Sequence, residues 1–82
     1  MSGFTYVYIL ESERHPETFY TGLAGDLRDR LRRHNAGQVP HTAKSRPWRL
    51  RSAIAFRDRT RAAAFERYLK SGSGRSFAKR HL

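Results

Sequence analysis

Five polar side chains spread along the chain have types that suit phosphate chemistry. Arg30 and His34 are four positions apart, so a helix would present them side by side, one turn apart. Arginine makes planar bidentate contacts with phosphate, and histidine titrates near neutral pH and can accept a proton. Tyr8 and Tyr20 add two hydroxyl groups, and Glu66 adds a carboxylate. Together, the set could bind a phosphate group and move protons beside it.

Composition excludes several other kinds of site. The chain has 82 residues and no cysteine, which rules out disulfides, thiolate nucleophiles and Cys-based metal centres. It has no Gly-rich phosphate loop and no pair of histidines at zinc-ligand spacing. The only close set of acidic residues lies in a polar loop, so a two-metal site is not expected. A nuclease built on this sequence would have to work with one carboxylate and one metal ion.

Charge is distributed unevenly along the chain. The formal net charge is +10, made up of −3 over residues 1–26 and +13 over residues 27–82. This balance, with a sequence pI near 11.3, indicates a polyanionic partner, with nucleic acid favoured over an anionic membrane. No apolar run approaches the roughly 18 residues of a membrane span, and the start lacks the features of a signal peptide. We therefore expect a soluble protein that acts in the cytoplasm, away from membranes.

The tyrosines and the Arg–His pair are positioned by the first half of the chain. Residues 4–10 and 18–22 are predicted to form an antiparallel hairpin around a polar loop over residues 11–17. Alternation in the first strand places four residues on one face: Phe4, Tyr6, Tyr8 and Leu10. It places three on the other: Thr5, Val7 and Ile9. A helix is predicted from residue 27 to 35 or 36, capped by Asp26 and stopped by Gly37, with Arg30 and His34 facing inward.

Glu66 belongs to the second half of the chain. Residues 38–47 are predicted as a loop, because Pro40 makes a regular helix there awkward. Residues 48–56 are predicted as a third strand with its better buried face formed by Leu50, Ser52, Ile54 and Phe56. A helix over residues 61–71, capped by Thr60 and ended by Gly72, carries Glu66 beside its apolar stripe. A short basic helix follows over residues 75–82.

These elements predict a small α/β (α+β) fold with a single domain over residues 1–82. A three-stranded antiparallel sheet is flanked by helices in the order β-β-α-β-α-α. No repeat or low-complexity tract interrupts it.

The candidate residues also occur in the order of a known family. Tyr6-Val7-Tyr8 is followed by Tyr20-Thr21-Gly22, then by D-L-x-x-R-L and H-N-x-G elements that contain Arg30 and His34, and later by Glu66. This ordered set resembles the GIY-YIG nuclease family. It is most similar to small stand-alone bacterial members, which are similar to the nuclease domain found in excinucleases. Each motif is weak alone, but the resemblance covers essentially the whole chain.

The resemblance implies a divalent-metal-dependent endonuclease that hydrolyses phosphodiester bonds in DNA. Glu66 would hold a single Mg²⁺ or Mn²⁺ ion, and Arg30 would clamp the scissile phosphate. Tyr8 would act as the general base or hydrogen-bond to it, with Tyr20 and His34 completing the network. On pKa alone His34 is the simpler proton acceptor, so the choice between Tyr8 and His34 stays open.

The resemblance also directs attention to surrounding residues. Gly22 is expected to be a structural part of the second motif. The family often has a further polar residue beyond the Glu helix, for which the candidates are Ser71, Ser73, Ser76 and His81. Six cations are expected to contact DNA: Arg28, Arg32, Arg33, Lys44, Arg46 and Lys70. With no separate DNA-binding domain in the sequence, we expect low sequence specificity, a branched, nicked or single-stranded target, or recruitment by another protein.

Two other functions compete with the endonuclease hypothesis. The same scaffold could bind nucleic acid without cleaving it, or the chain could be a structural RNA-binding protein of ribosomal type. Taken singly, each tyrosine is explained by strand packing, and Glu66 by a surface ion pair with Lys70 or Arg67. A structural RNA-binding role, however, needs neither tyrosine nor Glu66 and leaves their order unexplained.

Overall fold

The computed structural model describes residues 3–82, which form one antiparallel sheet with helices on both faces. The elements in chain order are β1 (Thr5–Ser12), β2 (Phe19–Ala24), α1 (Leu27–Asn35), α2 (Pro40–Ala43), β3 (Trp48–Phe56), α3 (Arg59–Leu69) and α4 (Gly72–His81). The strands lie in the order β2-β1-β3, with β1 in the centre. This confirms the predicted fold class and element order, with the one-turn helix α2 as an addition. Within residues 3–82, no helix has the length and apolar character needed to span a bilayer.

Two apolar clusters lie on opposite faces of β1, as its alternation predicts. Val7 and Ile9 pack with α3 through Ala62 and Leu69. On the other face the cluster comprises Tyr8, Leu10, Ala24 and Trp48, with Leu27 and Leu31 of α1 against it. Because the central strand is covered on both sides, it is buried almost throughout. The backbone of Tyr8 is therefore held in a fixed position in the interior.

The strands of the hairpin are longer than the sequence pattern predicts. β1 continues to Ser12, which pairs with Trp48, and β2 continues to Ala24, which pairs with Tyr6. Ser12 ends the apolar alternation and yet is almost fully buried, because its hydroxyl donates to the Ser45 carbonyl oxygen at 2.6 Å. A hydrophobicity pattern cannot predict the burial of a polar residue that finds its hydrogen-bond partner inside the fold.

The prediction for Leu50 is wrong because β3 contains a bulge. Ile9 pairs with Ser52, but Leu10 pairs with Leu50, so Arg51 is the extra residue between them. The bulge moves Leu50 from the face of Ser52 and Ile54 to the face of Leu10. There it is 42% exposed and borders a shallow depression with Leu27 and Leu31 of α1.

The helix boundaries show how capping decides where a helix begins. Asp26 caps α1 as predicted, accepting from the Asp29 amide. The prediction for α3 is wrong by two residues: the cap is Asp58, not Thr60, and it accepts from the amides of Thr60 and Arg61. Gly72 does not end α3 either. It is the first residue of α4, which Ser71 caps through the Gly74 amide.

Helix α2 occupies part of the segment predicted as a loop. Pro40 is its first residue, where the missing amide hydrogen is no loss and the fixed φ angle is compatible with a helix. The helix lasts a single turn and carries His41 and Thr42. Its position is set by the Trp48 indole, whose Nε1–H donates to the Thr42 carbonyl oxygen at 2.9 Å.

Candidate active site

A buried hydrogen bond between Tyr8 and His34 forms the centre of the site. The Tyr8 hydroxyl lies 3.0 Å from His34 Nε2, although the two residues are 26 positions apart. Both side chains are about 1% exposed. Tyr8 comes from the middle of the central strand and His34 from the last turn of α1, so the sheet and the helix together fix the distance.

Thr42 determines which nitrogen of His34 carries the proton. His34 Nδ1 lies 2.8 Å from the Thr42 hydroxyl oxygen, and that hydroxyl donates its hydrogen to the Val39 carbonyl oxygen at 3.2 Å. A threonine hydroxyl has one hydrogen. With that hydrogen on the Val39 carbonyl oxygen, the hydroxyl accepts from His34, and we assign the His34 proton to Nδ1. Nε2 then carries a lone pair, and the Tyr8 hydroxyl donates to it.

The protonation states of the two groups agree with this arrangement. Burial lowers the pKa of His34 below its ordinary value, and the positive charge of Arg30 lowers it further. Burial also raises the pKa of the Tyr8 phenol, and neighbouring Tyr20 acts in the same direction. The resting site therefore holds a neutral phenol that donates to a neutral imidazole.

Gly22 is required by the path of the Tyr8 side chain. Gly22 pairs with Tyr8 across the sheet, and the phenol lies over the glycine backbone. A Cβ at this position would be 2.5 Å from the Tyr8 hydroxyl oxygen and 3.0 Å from a ring carbon of Tyr20. Any side chain at Gly22 would therefore displace one of the tyrosines. This gives a structural reason for the glycine in the second motif.

Tyr20 and Arg30 complete the surroundings of the Tyr8 phenol. The Tyr20 ring centroid lies 4.9 Å from that of His34 and 6.3 Å from that of Tyr8. Arg30 donates from Nη1 to the Leu23 carbonyl oxygen at 3.2 Å, which ties its guanidinium to β2. Hydrogen bonding by Arg30 and its positive charge both act to lower the Tyr8 pKa, though burial outweighs them. A guanidinium group therefore lies beside the phenol.

Glu66, on α3, influences the same phenol only through its charge. The negative carboxylate raises the pKa of Tyr8, and this effect is the smallest of those acting on the phenol. The side chain is 19% exposed, and Oε2 accepts from Lys70 Nζ at 2.9 Å. The ion pair with Lys70 considered from the sequence is thus present. Tyr20, Arg30 and His34 lie beside the Tyr8 phenol. Glu66 lies on α3, which packs through Ala62 and Leu69 on the other face of β1.

A divalent cation is compatible with these residues. Within residues 3–82, no three His, Asp or Glu side chains converge on one point. A Mg²⁺ ion commonly uses one or two carboxylates and completes its shell with water and phosphate oxygens. Glu66 supplies such a carboxylate, half-buried and open on one side, with Lys70 as the cation it would exchange. The residues present therefore fit a single hard cation that is held jointly with a phosphate.

The expected DNA-contacting cations lie in different surroundings. Arg32 and Arg33 both pair with Asp29, at 2.6 and 2.8 Å, so part of their charge is neutralised. Lys70 is paired with Glu66, as above. The other three are exposed side chains: Arg28, Lys44 and Arg46. Arg46 donates from Nε to the Ala43 carbonyl oxygen, and Arg28 borders a shallow depression beside Tyr6 and Leu50.

Among the candidates for a further polar residue, Ser71 has a structural role. Its hydroxyl donates to the Tyr68 carbonyl oxygen at 2.6 Å and accepts from the Gly74 amide, so it caps α4. The His81 ring lies 4.8 Å from that of Phe77. Ser73 and Ser76 are exposed on α4.

Two residues near the site were not singled out from the sequence. Thr42 is almost fully buried and bonds to His34, and the His41 ring lies 6.3 Å from that of Tyr20. Both belong to α2, which the sequence pattern assigns to a loop. The available signal was Pro40, whose place at the start of a short polar run is typical of a first helical residue.

Comparison with known proteins places this sequence in a family. The GIY-YIG catalytic domain family matches residues 4–80. The UPF0213 protein HQ_3675A of Haloquadratum walsbyi is 36% identical over 72 residues, which cover 87% of this chain and 79% of that protein. The structure-specific endonuclease subunit SLX1 of Scheffersomyces stipitis is 39% identical over 71 residues, 78% of this chain. The match spans only 21% of SLX1.

No solved structure gives a significant match to the chain. The family match nevertheless covers almost all of the described residues, including both tyrosine motifs, the helix with Arg30 and His34, and the helix with Glu66. The chain belongs to the GIY-YIG nuclease family.

Proposed function

We propose that this protein is a metal-dependent endonuclease that hydrolyses phosphodiester bonds in DNA. One observation carries the proposal: the Tyr8 phenol is hydrogen-bonded to His34, and the Arg30 guanidinium and the Glu66 carboxylate both act on the protonation of that phenol. A buried hydroxyl needs a hydrogen-bond partner for packing alone, but that need does not call for an imidazole, a guanidinium and a carboxylate all acting on one phenol. A hydrolase uses such a set, because a water molecule must lose a proton as it attacks phosphorus.

The proton path follows from the hydrogen bonds. As water attacks the phosphorus, its proton passes to the Tyr8 oxygen while the Tyr8 proton moves to His34 Nε2. The new phosphorus–oxygen bond forms, and the bond to the leaving 3′ oxygen breaks. In this scheme the Tyr8 oxygen, which is almost fully buried in the free protein, becomes accessible to the attacking water when the substrate binds, and His34 is the final proton acceptor. The two alternatives left open by the sequence then act in series. The raised Tyr8 pKa favours this relay over a phenolate at rest.

The remaining side chains bind the substrate. Arg30 is placed beside Tyr8 and would contact the non-bridging oxygens of the scissile phosphate, opposing the charge that builds up there. Glu66 would hold a single Mg²⁺ or Mn²⁺ ion. When bound, such a cation polarises the phosphate and stabilises the leaving oxygen.

The substrate is expected to be recognised by its backbone and shape. The exposed arginines and lysines suit phosphate contacts, which carry no sequence information. We therefore propose low sequence specificity, with a branched, nicked or single-stranded target. SLX1 is by name a subunit of a structure-specific endonuclease, which supports both a shape-selective target and recruitment by a partner for this chain. The cytoplasmic location expected from the sequence stays a prediction.

A nucleic-acid-binding module without activity is the second candidate. The Glu66–Lys70 ion pair favours it, because a carboxylate already neutralised by a lysine has less need of a metal ion. The two candidates make opposite predictions for cleavage and the same prediction for binding.

Supercoiled plasmid incubated with the protein and Mg²⁺ or Mn²⁺ distinguishes the two. We expect the wild type to nick the plasmid, and Glu66→Ala, Arg30→Ala and Tyr8→Phe to lose at least about 100-fold in rate. Glu66→Ala should still bind DNA, since it removes a negative charge. Glu13→Ala, which removes an exposed carboxylate in the β1–β2 loop, is the matched control and should nick like the wild type.

Two results would contradict the proposal. A wild-type protein that binds plasmid but never nicks it with either metal leaves the binding module as the function. Variants at Glu66 and Arg30 that nick as fast as the wild type would show that these residues are not the site.

A further inference from the structure

We propose that a single strand of nucleic acid lies in a cleft between the sheet, at strand β2, and helix α4. Arg75 and Lys79 would contact its phosphates, and Phe19 would stack against a base. The inference deepens the proposed function by naming the form of the substrate and the path it takes beside the site.

The cleft is open on one side and has a volume of about 900 Å³. β2 forms one wall through Phe19 and Thr21, and the other wall is formed by Lys70 at the end of α3 and by Arg75 and Lys79 of α4. The cleft extends to Tyr20 and His41. The Tyr20 ring lies beside that of His34, and the His41 ring lies beside that of Tyr20. A strand in the cleft would therefore pass next to the proposed active site.

Arg75 and Lys79 are the cations whose charge is available in the cleft. They lie four positions apart on α4, so both point from the same side of the helix, and both are exposed. Within residues 3–82 neither has a carboxylate at ion-pair distance, unlike Arg32 and Arg33, which share Asp29. Two unneutralised cations one turn apart suit successive phosphates of a backbone.

The acidic residues bordering the cleft oppose this charge only in part. Glu11 is paired with Arg49 and Arg51 at 3.5 and 3.4 Å. Glu17 is exposed in the β1–β2 loop, at the N-terminal end of β2. The net charge of the side chains along the α4 wall of the cleft is therefore positive.

Phe19 gives the reason for a single strand. It is 48% exposed on an edge strand, and the Arg51 guanidinium lies 5.2 Å from its ring centroid. An aromatic ring beside cations is the pattern that proteins use to stack unpaired bases. A base within a duplex is already stacked on its neighbours, so the Phe19 ring is useful only to an unpaired strand.

Binding measured without cleavage tests the cleft directly. The probe is a short fluorescein-labelled oligothymidylate, titrated by anisotropy in EDTA, with a blunt duplex of equal length alongside. We expect Arg75→Gln with Lys79→Gln to weaken single-strand binding at least about tenfold and to reduce the salt slope by about 1.4. Duplex binding should change less than about threefold. Arg59→Gln with Arg61→Gln removes the same charge at the far end of α3 and should leave single-strand affinity within about threefold of the wild type.

A second pair of variants tests the aromatic contact. Phe19→Ala should weaken oligothymidylate binding about tenfold. Phe4→Ala is the matched control, because Phe4 is also exposed and has an arginine, Arg57, over its ring at 5.5 Å, but does not border the cleft. It should bind like the wild type. Thermal melting of each variant checks that the fold is retained.

The outcomes separate this inference from the proposed function. The α4 variant and the α3 variant could lose equal affinity for the single strand, or the α4 variant could lose equal affinity for single strand and duplex. Either result would contradict binding of a single strand in the cleft. Plasmid nicking by the wild type would survive either result. If instead the wild type does not nick plasmid but the α4 and Phe19 variants lose single-strand binding as expected, the proposed endonuclease function is wrong and the proposed binding cleft is supported.

Discussion

In the neutral His34 ring the proton lies on Nδ1, because the single hydroxyl hydrogen of Thr42 goes to the Val39 carbonyl oxygen. That leaves the Nε2 lone pair facing the Tyr8 hydroxyl. Thr42 touches neither the phosphate nor the water in the proposed mechanism. It is a positioning residue, and its effect on the chemistry passes through the imidazole.

Replacing Thr42 with valine keeps the volume and removes the hydroxyl. We expect Thr42→Val to leave Nδ1 without its acceptor, mixing the two tautomers and lowering the cleavage rate about 10- to 100-fold. The buried unsatisfied group should also cost about 1–3 kcal/mol of stability. The tautomer is read directly from the ¹⁵N chemical shifts of the His34 ring nitrogens.

Thr42→Ser is the control, because it retains the hydroxyl. It should keep the Nδ1–H tautomer and most of the activity. Wild-type spectra that place the His34 proton on Nε2 would contradict the assignment whatever the activity of the variants.

At the scale of elements, the α3–α4 corner decides where Glu66, Lys70 and the cleft wall lie. α3 ends at Leu69, and α4 starts at Gly72 after two residues: Lys70, which caps α3, and Ser71, which caps α4. Gly74 is buried against the end of α3, and a Cβ there would overlap the Tyr68 carbonyl oxygen. Helix α4 can pack this closely only because the residue has no side chain.

Gly74→Ala should therefore push α4 away from α3. We expect a loss of about 1–3 kcal/mol of stability, measured by urea unfolding, because backbone atoms rather than a flexible side chain must move. Single-strand binding in the cleft should weaken as well.

Gly72→Ala is the matched control on the same helix. A Cβ at Gly72 meets nothing within 4 Å, so this change should be neutral or stabilise by up to about 1 kcal/mol. Equal destabilisation by the two substitutions would contradict the close approach at Gly74.

At the scale of the whole molecule, the buried His34 links stability to pH. Its pKa is lowered in the folded chain, by burial first and by Arg30 second, while in the unfolded chain it is about 6.5. Between the two values the unfolded chain binds more protons, so the free energy of unfolding rises with pH there. The contribution of His34 to the free energy of unfolding is fully present above about pH 6.5, the pKa in the unfolded chain, and it decreases as the pH falls toward the pKa in the folded chain.

Urea unfolding from about pH 7.5 down to about pH 5.5 measures this dependence. The wild type should lose stability over this window, and His34→Gln should lose less. An NMR titration of His34 in the folded wild type gives its pKa independently of unfolding. A midpoint at or above 6.5 would contradict the prediction.

Much of the fold could be predicted from local patterns. The alternation in β1 separates Val7 and Ile9 from Tyr8 and Leu10, and the alternation over residues 48–56 matches β3 at both ends. The face of Leu50 and the position of helix α2 against the sheet could not be predicted in this way. A bulge forms only when a second strand is present to pair with, and α2 is positioned by Trp48, which follows it in the chain.

The sequence by itself supplied the candidate residues of the site and their order along the chain. Tyr8, Tyr20, Arg30, His34 and Glu66 are candidates because their order resembles that of one family, and order along a chain is visible without a tertiary structure. Only the tertiary structure decided that Thr42 sets the proton on His34 and that Gly22 clears the path of Tyr8. Both depend on distances between elements far apart in sequence, and such distances are set by packing rather than by periodicity.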